Sequence, residues 1–204
     1  TQHALLLLQH RRPADAEKEL RAHLSQEPED TQALALLSSA QTMQGAHEDA
    51  AHTAQAIILL LPDEATGHYQ LARALLAGGD AKGALAAAQE AVRSEPADAD
   101  HHAMVAYAHH VLNDHTEALA AADRGLALDP GHLTCLNIRS SELAGMKRYA
   151  EADAVANKLL QLDPENAYSH NSTGWTHLRR GDHARAMEHF REALRREPGM
   201  EQAR

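Results

Sequence analysis

The sequence predicts an all-α repeat protein built from about six helix–turn–helix units. Three observations carry that prediction. Proline recurs every 34 residues, at Pro28, Pro62, Pro96, Pro130, Pro164 and Pro198, which leaves only Pro13 outside the series. Alanine recurs on the same beat, at Ala16, Ala50, Ala84, Ala118, Ala152 and Ala186. Between these columns lie two amphipathic stretches, separated in most units by glycine or asparagine. Self-similarity at a fixed period of this length means that one supersecondary unit is being stacked on its neighbours.

The unit 167–200 serves as the template, numbered 1 to 34, with proline at position 32 and the invariant alanine at position 20. Position 8 is always tiny: Ala4, Ser38, Ala72, Ala106, Ser140 and Gly174. Position 28 is always a branched aliphatic, from Leu24 to Leu194. Position 15 is Gly45, Gly79 or Gly181, with Asn113 standing in once. Glycine and asparagine tolerate the left-handed conformation that ends a helix.

Gly174, Ala186, Phe190, Ala193 and Pro198 fall at positions 8, 20, 24, 27 and 32, and in this the chain resembles the tetratricopeptide repeat (TPR) family over its whole length. The resemblance implies a right-handed α-solenoid, a superhelix with a concave groove that serves as a scaffold for protein binding. Individual units depart from the family pattern. The aromatic expected at position 4 is Leu34, His68, His102, Leu136 or His170, and position 7 of the fifth unit is Arg139.

The elements follow in order. Residues 1–10 form the first helix of unit one, and Arg11-Arg12 turns the chain. Pro13 opens the second helix, where its missing N–H costs nothing, and 14–26 continues it. The later units place helices near 32–44 and 47–60, 66–77 and 81–94, 100–112 and 115–128, 134–146 and 149–162, and 168–180 and 183–196. Each second helix stops before its proline, because a residue preceding proline is driven out of the helical region. The unit boundaries are 1–30, 31–64, 65–98, 99–132, 133–166 and 167–200, with 201–204 starting a further helix. Together they read as one solenoid domain. The chain begins at position 5 of a unit and ends at position 4 of a seventh, without evident capping surfaces, and reads as a segment of something longer. The run Ile57-Ile58-Leu59-Leu60-Leu61 reads as a fully buried helix end. Gly78-Gly79-Asp80 lacks a preceding strand and a following Gly-Lys-Ser/Thr, so it reads as a helix cap and not a phosphate loop.

Within a unit, positions 4, 7, 8 and 11 share one face of the first helix, and positions 20, 24, 27 and 28 share one face of the second. Positions 2, 5, 9, 12 and 13 point away from the partner helix, with position 6 at the edge. By resemblance these would line the concave groove. They supply Tyr69, Arg73, Met104, Tyr107, His110, Asn137, Ile138, Asn171 and Trp175 as candidate partner-binding residues. Aromatic and arginine anchors dominate interface energetics, and asparagine side chains can bond an extended backbone. Trp175 either lines the groove or packs on a neighbouring helix; the sequence leaves both open. Asn137 and Asn171 match the family's carboxylate clamp in residue type alone. Its lysines and arginine are not at matching positions, so that function is not carried over.

Eight of the sixteen histidines fall in three columns, at positions 4, 11 and 17, where the family often has aromatics. The simplest reading is that imidazole fills aromatic slots. His102 and His109 are two turns apart, too far for one ion without further ligands. Neither a metal nor a cofactor is expected. Mild acidification would swing the net charge upward, since histidine titrates near about 6.5. Cys135 beside His132 has no evident orienting acid and reads as a spectator thiol, and the carboxylates scatter over helix faces as solvated charges do. No catalytic role is expected.

The balance of 29 acidic against 19 basic residues, formally −10, argues against nucleic acid, which needs a basic footprint. A 44% apolar fraction with 3% aromatic, dominated by alanine and leucine, suits closely packed helices. The single cysteine, Cys135, allows no intrachain disulfide. Leu5–Leu8 is too short to span a membrane or to form a secretory core. The expected function is a non-catalytic scaffold that holds a peptide or helix of a partner protein in the groove, in a cytoplasmic setting. Self-association, or service as the accessory region of a larger enzyme, stands as the alternative.

If the tiny columns set how closely the two helices of a unit approach, Ala118→Leu overpacks that seam. The expected loss is about 1–3 kcal/mol by urea unfolding, and an unchanged midpoint would refute the seam assignment.

Overall fold

The computed structural model describes residues 1–199. The expected start of a further helix at 201–204 lies outside the described residues. The described residues contain twelve α-helices and no strand. The helices are α1 (Gln2–Gln9), α2 (Pro13–Leu24), α3 (Thr31–Met43), α4 (His47–Leu60), α5 (Ala65–Ala77), α6 (Ala81–Ser94), α7 (Ala99–Val111), α8 (His115–Leu128), α9 (Leu133–Gly145), α10 (Tyr149–Leu162), α11 (Ala167–Arg180) and α12 (His183–Arg196). They pack pairwise as six helix–turn–helix repeats. Their contacts gather into two compact units, Thr1–Ala108 and the residues from His109 onward, so that the division falls inside α7.

The turn between the two helices of each repeat has one conformation throughout. Arg11, Gly45, Gly79, Asn113, Lys147 and Gly181 all have positive φ, between 55° and 88°. All six stand at position 15, including the arginine and lysine that the sequence pattern did not mark. The left-handed residue lets the next N–H reach back, from position 16 to position 11, to the helix it has just left. Arg12 donates to the Leu7 carbonyl at 2.8 Å, Ala46 to Gln41 at 2.9 Å and Asp80 to Leu75 at 2.9 Å. Asp114 donates to His109 at 2.9 Å, Arg148 to Leu143 at 2.8 Å and Asp182 to His177 at 2.9 Å.

The tiny columns lie where the paired helices are closest. The six alanines of position 20 are buried, as are Ala4, Ser38, Ala72, Ala106, Ser140 and Gly174 at position 8. Where position 8 is serine, its hydroxyl donates to the carbonyl of the position-20 alanine: Ser38 to Ala50 at 3.0 Å and Ser140 to Ala152 at 3.4 Å. Where it is glycine, the vacated space holds an aromatic ring. A Cβ on Gly174 would meet Phe190 Cε1 at 2.6 Å. Apolar layers close around these contacts. Ala4, Leu7, Leu8, Ala16, Leu20 and Leu37 form one in the first compact unit. Leu136, Leu143, Ala152, Val155 and Leu159 form another in the second.

The first helices of units two to six start one residue earlier than the sequence pattern suggested. Their caps explain it in three of them: Asp30 accepts from the Ala33 N–H at 3.0 Å, His132 Nδ1 from Cys135 N–H at 3.3 Å, and Asn166 Oδ1 from Tyr168 N–H at 2.9 Å. The run at 57–61 departs from expectation. Ile57 is buried, but Leu59 is 85% exposed, because a helix turns successive residues through about 100° and cannot bury five in a row on one seam. The position-4 histidines are each held by a hydrogen bond. His68, His102 and His170 bond through Nε2 to the carbonyls of Pro62, Pro96 and Pro164, the position-32 proline just before them, at 3.3, 2.9 and 3.1 Å.

Lys147 occupies a conformation that costs a side-chain-bearing residue about 1–2 kcal/mol, partly offset by the greater chain entropy of glycine. Lys147→Gly is therefore expected to stabilise the protein by roughly 0.5–1 kcal/mol in urea unfolding. A destabilised variant would show that the lysine side chain contributes more than the turn loses.

Candidate partner-binding face

First helices of successive repeats lie side by side within each compact unit. In the first, Ser39 on α3 donates to Gln70 Oε1 on α5 at 3.3 Å. Arg73 Nη1 donates to both Ser39 Oγ and Gln70 Oε1, at 3.1 Å each. The Arg73 guanidinium lies 5.9 Å from the Tyr69 ring centroid, and Tyr69 leans on His101 of α7 with 5.4 Å between centroids. Burial pushes the Tyr69 hydroxyl above its ordinary value, with Asp100 adding to the effect and Arg73 opposing it. The face thus presents a neutral phenol and a pre-ordered cation.

In the second compact unit, Arg179 Nη1 on α11 donates to the Ser141 carbonyl on α9 at 2.7 Å. Tyr149 donates through its hydroxyl to the Arg179 carbonyl at 3.0 Å. Trp175 stands edge-on to Phe190, with centroids 5.5 Å apart and planes at 70°, yet remains 43% exposed.

The nine residues singled out from the sequence divide into three groups. Tyr107 and Trp175 are exposed, on α7 and α11. Tyr69, Arg73, Met104 and Asn137 are half-buried and border the same helix faces. Ile138 and Asn171 are 5% and 6% exposed, and this removes them from the set that an outside partner could touch without rearrangement. Gln70, at position 6 and in contact with Ser39 of the adjoining first helix, is buried in the same way, whereas Tyr69, Met104 and Asn137 at positions 5 and 6 are not. His110 is half-buried and engaged with Glu142.

Glu142 departs from the expectation that the carboxylates are solvated. It is 1% exposed at position 10, where Ala40, Ala74 and Ala108 stand in earlier repeats. His110 Nδ1 donates to one carboxylate oxygen and His115 Nδ1 to the other, the latter at 2.6 Å. Burial pushes the carboxyl up, but the hydrogen bonds and charge of His110 and His115 more than offset it. The group ends below its ordinary value of 4.5. A second, half-buried polar cluster has no signature in any single column. His170 and His177 on α11 converge on His189 of α12, with ring centroids 5.4 and 5.5 Å from it. Burial, then the charges His170 and His177 would carry, hold His189 below the ordinary imidazole value.

A carboxyl held below its unfolded value stabilises the fold above that value and stops doing so as pH falls through the folded one. Glu142→Gln should therefore be less stable than the parent at neutral pH. The gap should close on acidification below about 4.5. Denaturant midpoints measured across pH test this, and a gap independent of pH would refute it.

No helix among the described residues is long and apolar enough to cross a membrane. No curated protein matches the sequence. Solved structures do share the fold. YrrB, described as a TPR protein with an unusual peptide-binding site, is 18% identical with a TM-score of 0.61, over 90% of this chain and 95% of that one. The thermophilic TPR protein TTC0263 of Thermus thermophilus is 21% identical with a TM-score of 0.75, over 92% of this chain and 96% of that one. A chain of the APC/C hetero-tetramer Cut9–Hcn1 superposes with a TM-score of 0.84 at 15% identity, and 98% of this chain covers 40% of that one. The tetratricopeptide repeat family model matches residues 1–65, 69–132 and 140–201. With the 34-residue period and the six equivalent turns already in place, that match shows that the chain belongs to the tetratricopeptide repeat family, whose repeats generally serve as protein-interaction modules.

Proposed function

We propose that this chain is a non-catalytic scaffold that holds a peptide or helix of a partner protein against the outward faces of its first helices. The observation that carries the proposal is the exposure of Tyr107 and Trp175, both at position 9 of first helices; Trp175 keeps an exposed face although its edge meets Phe190 of the paired second helix. Large rigid aromatics bury much area at little entropic cost, which suits them to recognition. Arg73 is ordered in advance by Ser39 and Gln70, so binding need not immobilise it. The peptide-binding site of YrrB, a structural neighbour, supports the reading. The Cys135–His132 pair supports no hydrolytic alternative. Cys135 is buried, and His132 Nδ1 accepts from the Cys135 backbone N–H.

The test is comparative affinity capture with helicity monitored. Tyr107→Ala and Trp175→Ala should each weaken capture of the same partner polypeptide by about 2 kcal/mol, roughly thirty-fold, without loss of helical signal. Glu90→Ala and Arg191→Ala on second helices should change it little. The opposite ranking would place the partner on the second helices.

A further inference from the structure

Positions 4, 11 and 23 of the fifth repeat are Leu136, Leu143 and Val155, three aliphatics of one buried layer. In the sixth repeat the same three positions are His170, His177 and His189. No other repeat carries histidine at all three. Replacing an apolar seam with three imidazoles is unfavourable unless their nitrogens are satisfied.

The hydrogen bonds state which nitrogens are available. His170 Nε2 lies 3.1 Å from the Pro164 carbonyl, which can only accept, so that nitrogen carries the proton and Nδ1 presents a lone pair. His170 Nδ1 faces His189 Nδ1 at 3.2 Å. A tetrahedral ion with nitrogen ligands at about 2.0–2.1 Å holds them about 3.3 Å apart. An imidazole whose other nitrogen donates to a backbone carbonyl is the usual arrangement of a metal-ligating histidine. His177, its ring parallel to that of His189 within 8°, has a buried Nδ1 without a hydrogen-bond partner. His177 and His189 also line a cavity of about 310 Å³, together with Asp153, Arg185 and Glu188. One oxygen of Asp153 is buried and unpaired, and its other oxygen pairs with Arg180. Arg185 places a positive charge on the same cavity, 3.6 Å from Asp182.

We propose that His170 and His189 bind a borderline divalent cation such as Zn²⁺ through their Nδ1 atoms, with His177 turning to supply a third nitrogen and water completing the shell. The cation replaces the proton shared between the two Nδ1 atoms. His189 keeps a neutral ring by carrying that proton on Nε2 instead, so binding needs no net proton release. Imidazole ligands suit ions of this class.

The experiment uses the full chain without a histidine tag, titrated with Zn²⁺ alone and with Co²⁺ as a spectroscopic reporter. The variant carries the fifth repeat's residues, His170→Leu, His177→Leu and His189→Val together, which the same backbone already accommodates one repeat earlier. The control is His52→Ala with His183→Ala, two exposed histidines. The expected result is one saturable equivalent, visible tetrahedral bands with Co²⁺, and loss of both in the triple variant, with affinity at least a hundred-fold weaker. The control should bind as the parent does. Nitrogen-15 spectra of the parent give a readout that needs no variant: Zn²⁺ should shift Nδ1 of His170 and His189 while His170 Nε2 stays protonated. An unchanged equivalent in the triple variant, no saturable equivalent in the parent, or metal on Nε2 of these rings would each overturn the proposal.

Discussion

A single backbone hydrogen bond, made six times, controls the geometry of every helix pair. The N–H at position 16 reaches the carbonyl at position 11, and it can do so because position 15 is left-handed. This bond satisfies a carbonyl that the end of the first helix would otherwise leave orphaned, and it reverses the chain within three residues. The turn keeps its shape even where its residue is Arg11 or Lys147, for which the conformation is costly. Packing of the two helices therefore outweighs the local preference of the turn residue. The balance is reasonable, since each pair buries a continuous apolar seam whereas the left-handed residue costs only about 1–2 kcal/mol.

With the turn fixed, the tiny column at positions 8 and 20 decides how near the helices come, and the repeat solves that contact in different ways. Alanine against alanine needs nothing more. Serine adds a donor that would be orphaned in the seam, and the position-20 carbonyl accepts from it. Glycine leaves a gap, and Phe190 fills it from the other helix. Each solution leaves no empty space and no unpaired donor at the closest approach. Because each compact unit repeats these contacts, a change in one seam is felt chiefly by its own pair and the next.

The sequence revealed the fold so readily because these determinants are columnar. Proline, the tiny residues and the position-15 turn repeat in register, so helix starts and stops could be placed within about a residue, except at the end of α2. The site was less legible. Exposed Tyr107 and Trp175 followed from outward helical positions alone. The burial of Ile138 and Asn171 did not, because a helical wheel shows which residues leave the partner helix but not how far each is covered: Tyr69, Met104 and Asn137 share their positions and stay half-buried. Glu142 and the three histidines were missed for a related reason. A histidine column runs down the sequence at one position, whereas the contacts run across columns, from position 4 and position 11 of one helix to position 23 of the next. The signal was present: in the sixth repeat alone all three positions change together, and each replaces a buried aliphatic of the fifth.

That contrast explains where this architecture can carry polar chemistry. Interior positions 4, 10, 11 and 23 lie away from the closest helix contact, and their side chains take no part in the backbone bond of the turn, so they can change while the backbone stays in place. Glu142 at position 10 shows a complete solution, with one histidine donor on each carboxylate oxygen. The cost of burying that charge is met inside the same repeats, and the group remains ionised at neutral pH. The sixth repeat shows an incomplete one. His170 is satisfied by Pro164 and His189, but His177 Nδ1 and one Asp153 oxygen remain buried and unpaired. Groups left so are costly unless something further binds them. The same backbone that takes aliphatics at these positions in the fifth repeat therefore holds, one repeat later, a set of imidazole donors with nitrogens to spare.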